Sequence, residues 1–215
     1  MKHLCQKANL PLPKIYLIRE SQPNAFATGR DPQHAVVAVT KGLLEKLERS
    51  ELEGVIAHEL AHIGNRDALL QTVVVVLVGI VVMITDFFFR ISFYQRSSRS
   101  DREGQIRGVM IFISLLLLIF APLFANLIKL AISRKREFLA DATGALLTRY
   151  PEGLARALEK ISQDHSSLRR KNNATAHLYI VNPFRGREGA SWFQKLFSTH
   201  PPIKERIKAL RGMEV

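Results

Sequence analysis

Apolar residues along this chain are gathered into two nearly unbroken runs. Residues 69–89 read LLQTVVVVLVGIVVMITDFFF, and residues 108–130 read GVMIFISLLLLIFAPLFANLIKL. Each is close to the ~20 residues that take a helix across the hydrocarbon core of a bilayer. Neither carries the polar stripe of a helix lying on a soluble core. The pattern predicts two membrane-embedded helices, over 69–89 and 108–132, rather than a pair of buried core helices, which a chain of this size rarely surrounds on all sides. Asp86 and Lys129 fall at the run ends, within reach of an interface, and Pro122 predicts a kink in the second helix.

The polar regions read differently. Residues 90–107, RISFYQRSSRSDREGQIR, have the Ser and Arg content of an exposed loop. Before the first run, KIYLI (14–18) and HAVVAVT (34–40) predict strands, with turn chemistry at Gly29-Arg30-Asp31-Pro32 between them. NAFAT (24–28) suits a third strand. A helix is expected over 41–49, and Ser50-Glu51-Leu52-Glu53 has the capping-box pattern that starts another. Leu52, Val55, Ile56, Leu60 and Ile63 then keep helical spacing. Beyond the second run, helices are expected over 133–150 and 151–163, a short one over 191–197, and a last one from the His200-Pro201-Pro202 region, where proline suits a first turn. No signal-peptide pattern precedes Leu10. The organisation expected is an α+β, mainly helical domain with a small N-terminal β-sheet. It is built from residues 1–68 and 133–215 and interrupted by helix 69–89, loop 90–107 and helix 108–132.

Composition adds direction to this picture. The 215 residues hold 31 Lys+Arg against 19 Asp+Glu, a formal charge of +12, with 47% hydrophobic residues. So much apolar content excludes a disordered chain, and a single cysteine, Cys5, excludes a disulfide scaffold. The basic surplus alone suits either nucleic acid or an anionic membrane surface. Its placement decides: residues 129–215 carry 17 basic and 8 acidic groups, beginning with Lys129, Arg134, Lys135 and Arg136 beside the second apolar run. Juxtamembrane clusters of this kind suit anionic headgroups. No aromatic-interleaved basic stripe supports nucleic-acid binding.

The chemistry is concentrated at His58-Glu59-Leu60-Ala61-His62. Two histidines at i and i+4 share one helical face, so both imidazoles can address one ion, and neutral imidazole suits Zn²⁺. Glu59 projects beside the ion, placed to take a proton from an activated water and pass it to a leaving amine. Ala57, Ala61 and Gly64 leave room around the histidines. A catalytic zinc takes three protein ligands and one open position, so a third ligand must come from elsewhere: His165, His177, His200 or a carboxylate on another helix. Glu137 is a strong candidate. Two membrane crossings would return the chain to its starting side, bringing residues after the second run to the face that holds His58 and His62.

NAFATG, AHELAHIGNRD, SRKREFLADATGA and FSTHPP, in this order and over nearly the whole chain, together resemble the HtpX family of membrane zinc metalloproteases, relatives of the CAAX prenyl protease. The resemblance implies a zincin-like fold and one zinc bound by His58, His62 and Glu137, with Glu59 as catalytic acid/base. Asp141, in the family's E-x-x-x-D pattern, would orient a ligand histidine. It implies a multi-pass protein of the cell's inner membrane, its active site facing the cytoplasm, degrading damaged or misfolded membrane proteins. A protease dedicated to one substrate, such as a prenylated peptide, and a non-catalytic zinc-binding adaptor are the alternatives. The family usually carries two hydrophobic helices ahead of the region that starts near Leu4; none is in this sequence. Two further roles are expected on chemical grounds. His200 in THPP could donate to the tetrahedral oxyanion, and Asn24 in NAFATG could hold the substrate backbone. HAVVAVT is expected to offer the sheet edge to which an extended peptide adds.

Overall fold

A computed structural model describes residues 1–94, 101–164 and 201–214. Both apolar runs are helical throughout and extend past the limits expected from hydropathy. Helix α4 covers Asp67–Tyr94 and α5 covers Asp101–Thr148, so helix enters the 90–107 segment from both sides. Helix α5 continues through Pro122 to join the second run to the segment expected over 133–150.

Two compact units result, one of Met1–Leu70 with Ser133–Val215 and one of Gln71–Ile132. In the second unit, large apolar side chains point outward: Met83 is 72% exposed and Phe112 61%. Exposed apolar surface on this scale marks a contact with something other than water. Both helices are long and apolar enough to cross a membrane. The polar Thr85 is satisfied within its own helix, its hydroxyl donating to the Val81 carbonyl at 2.8 Å.

The first unit contains the sheet. Strands β1 (Lys14–Ile18), β2 (Ala25–Thr28) and β3 (Val36–Thr40) form a three-stranded sheet in the order β1-β3-β2. Strand β1 runs parallel to β3, with Tyr16 opposite Ala38, and β2 runs antiparallel, with Ala27 opposite Val37. The expectation that HAVVAVT lies at an edge is therefore overturned: β3 is the central strand. Its near-continuous apolar run is what a strand covered on both faces requires, and Val37 and Val39 are buried. The edge strands are β1 and β2.

Helices build the rest of this unit. The six-residue α1 (Lys2–Lys7) buries Leu4 and the free thiol Cys5 in the core. Helix α2 (Lys41–Lys46) starts where the Thr40 hydroxyl accepts the Leu43 amide. Helix α3 (Arg49–Gly64) begins one residue before the expected cap. Glu48 is its N-cap, and the Glu48 amide donates to Glu51 Oε2 at 2.8 Å. Glu51 is buried, completes a capping box with Glu48 and also accepts from Lys160. Helix α6 (Pro151–Ser162) lies against α3 so closely that a Cβ on Gly54 would stand 2.8 Å from the Leu154 nitrogen. Helix α7 (Ile203–Arg211) packs on α6.

Candidate metal centre

Helix α3 carries the H-E-x-x-H segment, and its packing fixes where those side chains go. Val55, Ala57 and Leu60 are buried in the core, His58 and His62 meet Glu137 of α5, and Glu59 meets β2. A Cβ on Gly144 would lie 3.0 Å from the His58 amide nitrogen. That lack of a side chain lets α5 approach α3, and Glu137 stands two turns earlier on the same helix.

Ligand atoms from His58, His62 and Glu137 lie within 4.8 Å of one another. The two Nε2 atoms are 3.1 Å apart, Glu137 Oε2 is 3.8 Å from His58 Nε2, and Glu137 Oε1 is 3.7 Å from His62 Nε2. Tetrahedral bonds of about 2.0–2.1 Å would separate neighbouring ligand atoms by about 3.4 Å, so the set is close to the spacing one ion imposes. The imidazoles are also turned for it. His62 Nδ1 donates to Asp67 Oδ2 at 2.6 Å. His58 Nδ1 lies 3.0 Å from Asp141 Oδ1, off the line of a straight hydrogen bond. With each Nδ1 directed at an aspartate, both Nε2 lone pairs face the same space, where they repel unless a proton or cation lies between them.

Charge points the same way. Glu59, Asp67, Glu137 and Asp141 are all buried, and the guanidiniums beside them are Arg136 and Arg206. Four carboxylates against two guanidiniums leave a deficit of two positive charges, which suits a divalent cation. Arg136, expected from sequence among the headgroup contacts, instead pairs with Asp67 and donates to the Asn65 carbonyl.

Glu59 stands apart from the ligand set. Its Oε2 accepts the Ala27 amide at 2.7 Å. Thr40 and Asn24 share a ladder hydrogen bond, which places the main-chain groups of Ala25 and Ala27 on the outer edge of β2. Burial pushes the Glu59 carboxyl above the ordinary glutamate range and the Glu137 charge adds to this, while His58, His62 and the Ala27 amide pull it back. A buried carboxyl with a raised pKa is suited to exchanging protons.

Asp141 is 3% exposed and is held by Arg206, whose Nε and Nη2 donate to its two oxygens at 2.7 and 2.6 Å. Burial works to raise the Asp141 pKa, but Arg206 and His58 outweigh it and hold the carboxyl below its usual range. Arg206 went unnoticed in the sequence, as did Asp67. The signal for Asp67 was its place five residues after His62, in the first turn of the next helix. Asn24 is buried before β2, its amide donating to the Thr40 hydroxyl and its carbonyl accepting from that hydroxyl; it anchors the start of the strand. His200, His165 and His177 lie outside the described residues.

Comparison with known proteins agrees with this geometry. The model of peptidase family M48 matches residues 1–214. A Dictyoglomus turgidum protein named Protease HtpX homolog is 53% identical over 96% of this chain, and its Dictyoglomus thermophilum counterpart is 55% identical over the same share. This chain spans 65% of the length of each. A Pyrococcus abyssi protein of the same name is 50% identical over 98% of the chain and 71% of its own length. The crystal structure of Saccharomyces mikatae Ste24p shares the fold, with a TM-score of 0.59 over 97% of this chain and 48% of that one, at 22% identity. From its helical architecture, its small sheet and the match along its whole length, the chain belongs to peptidase family M48.

Proposed function

We propose that this chain is the catalytic part of a zinc-dependent membrane endopeptidase. The observation that carries the reading is the convergence of His58, His62 and Glu137 with Glu59 beside them, bonded to the outer edge of β2. Zinc bound by His58, His62 and Glu137 supplies a Lewis acid that lowers the pKa of water and polarises a carbonyl. The described residues provide three ligands, which suits a catalytic site with an open position rather than a closed structural one.

The chain's own residues do the rest. Asp67 and Asp141 keep His62 and His58 in the tautomer that leaves Nε2 for the metal. Glu59 takes the proton of the attacking water at its carboxylate and returns it to the leaving nitrogen. The edge of β2, not of β3, receives the substrate as an added strand, so a peptide lies extended alongside Glu59. Asn24 holds the start of that strand, and His200 serves as the oxyanion donor. The two exposed apolar helices anchor the protein in the cell membrane in several passes, with Lys129, Arg134 and Lys135 at anionic headgroups and the active site on the cytoplasmic side. Substrates are misfolded or damaged membrane proteins.

The test measures zinc stoichiometry and casein cleavage together, with and without a chelator. One zinc per chain and chelator-sensitive cleavage support the reading. Cleavage that survives complete zinc removal overturns it.

A further inference from the structure

Arg206 enters the centre from α7, 65 residues beyond Asp141, and is 1% exposed. Its guanidinium spans two carboxylates one turn apart on α5. Nε and Nη2 take both oxygens of Asp141, and Nη1 lies 3.2 Å from Glu137 Oε2. Nη2 is also 3.4 Å from His58 Nε2. Two buried carboxylates on one helical face repel and are costly to desolvate unless a counter-charge with the right geometry lies between them. A planar fork meets that need in a way a point charge cannot. With Oε2 of Glu137 against Arg206, Oε1 is the oxygen turned toward His62.

We propose that Arg206 is a positioning residue of the metal centre: it orients Glu137 to bind through Oε1 and holds Asp141 against His58. The proposal rests on the zinc-site reading above. The Arg206 side chain is 1% exposed and held by these carboxylates, so it acts through them. Two effects compete. As a positive charge near a cation, Arg206 opposes metal binding. As a fork, it pre-organises the ligands and favours binding. Short contacts to both carboxylates make the second effect the larger.

Two variants separate the effects. R206K keeps the charge and loses the fork, whereas R206Q loses the charge. R211K serves as the control: Arg211 lies on the same helix and pairs with Glu152 and Glu159 of α6 at the surface. The readout is the rate at which Zn²⁺ passes from the loaded protein to a chromogenic chelator, with folding followed by circular dichroism and the kinetic constants measured alongside. Loss of an outer partner of a metal ligand costs about 10- to 100-fold in affinity or activity. Each of R206K and R206Q, if folded, is expected to lose zinc about 10- to 100-fold faster, with kcat lowered and KM little changed, while R211K matches wild type. Either variant decides alone. Wild-type retention in R206K, or tighter retention in R206Q, would mean a charge effect only and overturns the proposal. Equal losses in R206K and R211K would mean a helix-docking role and also overturn it. A wild type that binds no zinc overturns the underlying metal-site reading itself.

Discussion

The main-chain amide of Ala27 donates to Oε2 of Glu59 at 2.7 Å, joining the outer edge of β2 to the glutamate of the H-E-x-x-H segment. A strand edge and a proton carrier thus meet at one hydrogen bond. A peptide lengthening the sheet at β2 would be delivered to the carboxylate that must exchange its protons.

Glu59→Gln isolates that carboxylate. The amide oxygen still accepts the Ala27 amide, so strand and helix keep their contact, but the side chain can no longer take a proton. General base catalysis is worth roughly 10²- to 10⁴-fold. The expected outcome is a loss of kcat in that range with zinc content and melting temperature unchanged. Activity above a tenth of wild type would remove Glu59 from the mechanism.

Gly144 tests the approach of the two helices that carry the ligands. A Cβ there would lie 3.0 Å from the His58 nitrogen and 3.2 Å from the Ala57 carbonyl carbon, both main-chain atoms that cannot rotate away. Overpacking of this kind typically costs about 1–3 kcal/mol. Gly144→Ala should push α5 from α3, lower thermal stability and weaken zinc binding together. A variant that loses stability but binds zinc as tightly as wild type would show that the ligand geometry does not depend on this contact.

The parts of this centre legible in the sequence were those set by local spacing. His58 and His62 share a helical face by arithmetic, and Glu137 and Asp141 share another. The two apolar runs identify themselves by composition. Sheet order was not legible: β1, β2 and β3 are short, and only long-range pairing decides which lies in the middle. The start of α3 was not legible either: Glu48 and Glu51 form its capping box, and Glu51 is also held by Lys160, 109 residues away in the chain. Arg206 was hidden for the same reason. One basic residue in a strongly basic C-terminal region carries no local mark of burial, and only docking of α7 brings it to Asp141 and Glu137.

The joint between α3 and α4 holds backbone strain that can be relieved. Arg66 follows the C-cap Asn65 and adopts φ +53°, the left-handed region. That conformation costs a non-glycine residue roughly 1–2 kcal/mol, while glycine's extra unfolded-state freedom costs roughly 0.5–1 kcal/mol. Arg66→Gly should therefore stabilise the chain by about 0.5–1 kcal/mol, and Arg66→Val should destabilise it. Thermal melts of both variants check the order. A lower melting temperature for the glycine variant would mean that the Arg66 side chain supports the joint by contacts worth more than its strain.

The contact between Asp67 and His62 predicts opposite pH responses for the metal-free and zinc-loaded protein. Burial disfavours the charged imidazole, but the Asp67 hydrogen bond and the charges of Glu59 and Glu137 outweigh it, pushing the His62 pKa from 6.5 up to about 8. In the metal-free chain the folded state therefore holds this proton more tightly than the unfolded one. The resulting stabilisation, of order 2 kcal/mol, is fully present below about pH 6.5 and disappears as the pH rises through about 8. Zinc needs the same nitrogen deprotonated. Its apparent affinity should rise about tenfold per pH unit up to about pH 8 and level off above it. Asp67→Asn keeps an acceptor for His62 but removes the negative charge that strengthens the hydrogen bond and raises the pKa, so the break should move down toward pH 6.5 while zinc binding at high pH weakens as the ligand imidazole is held less firmly. Zinc competition titrations between pH 6 and 9 on wild type and this variant provide the measurement. A break that stays in place when Asp67 is neutralised would assign the titration to another group.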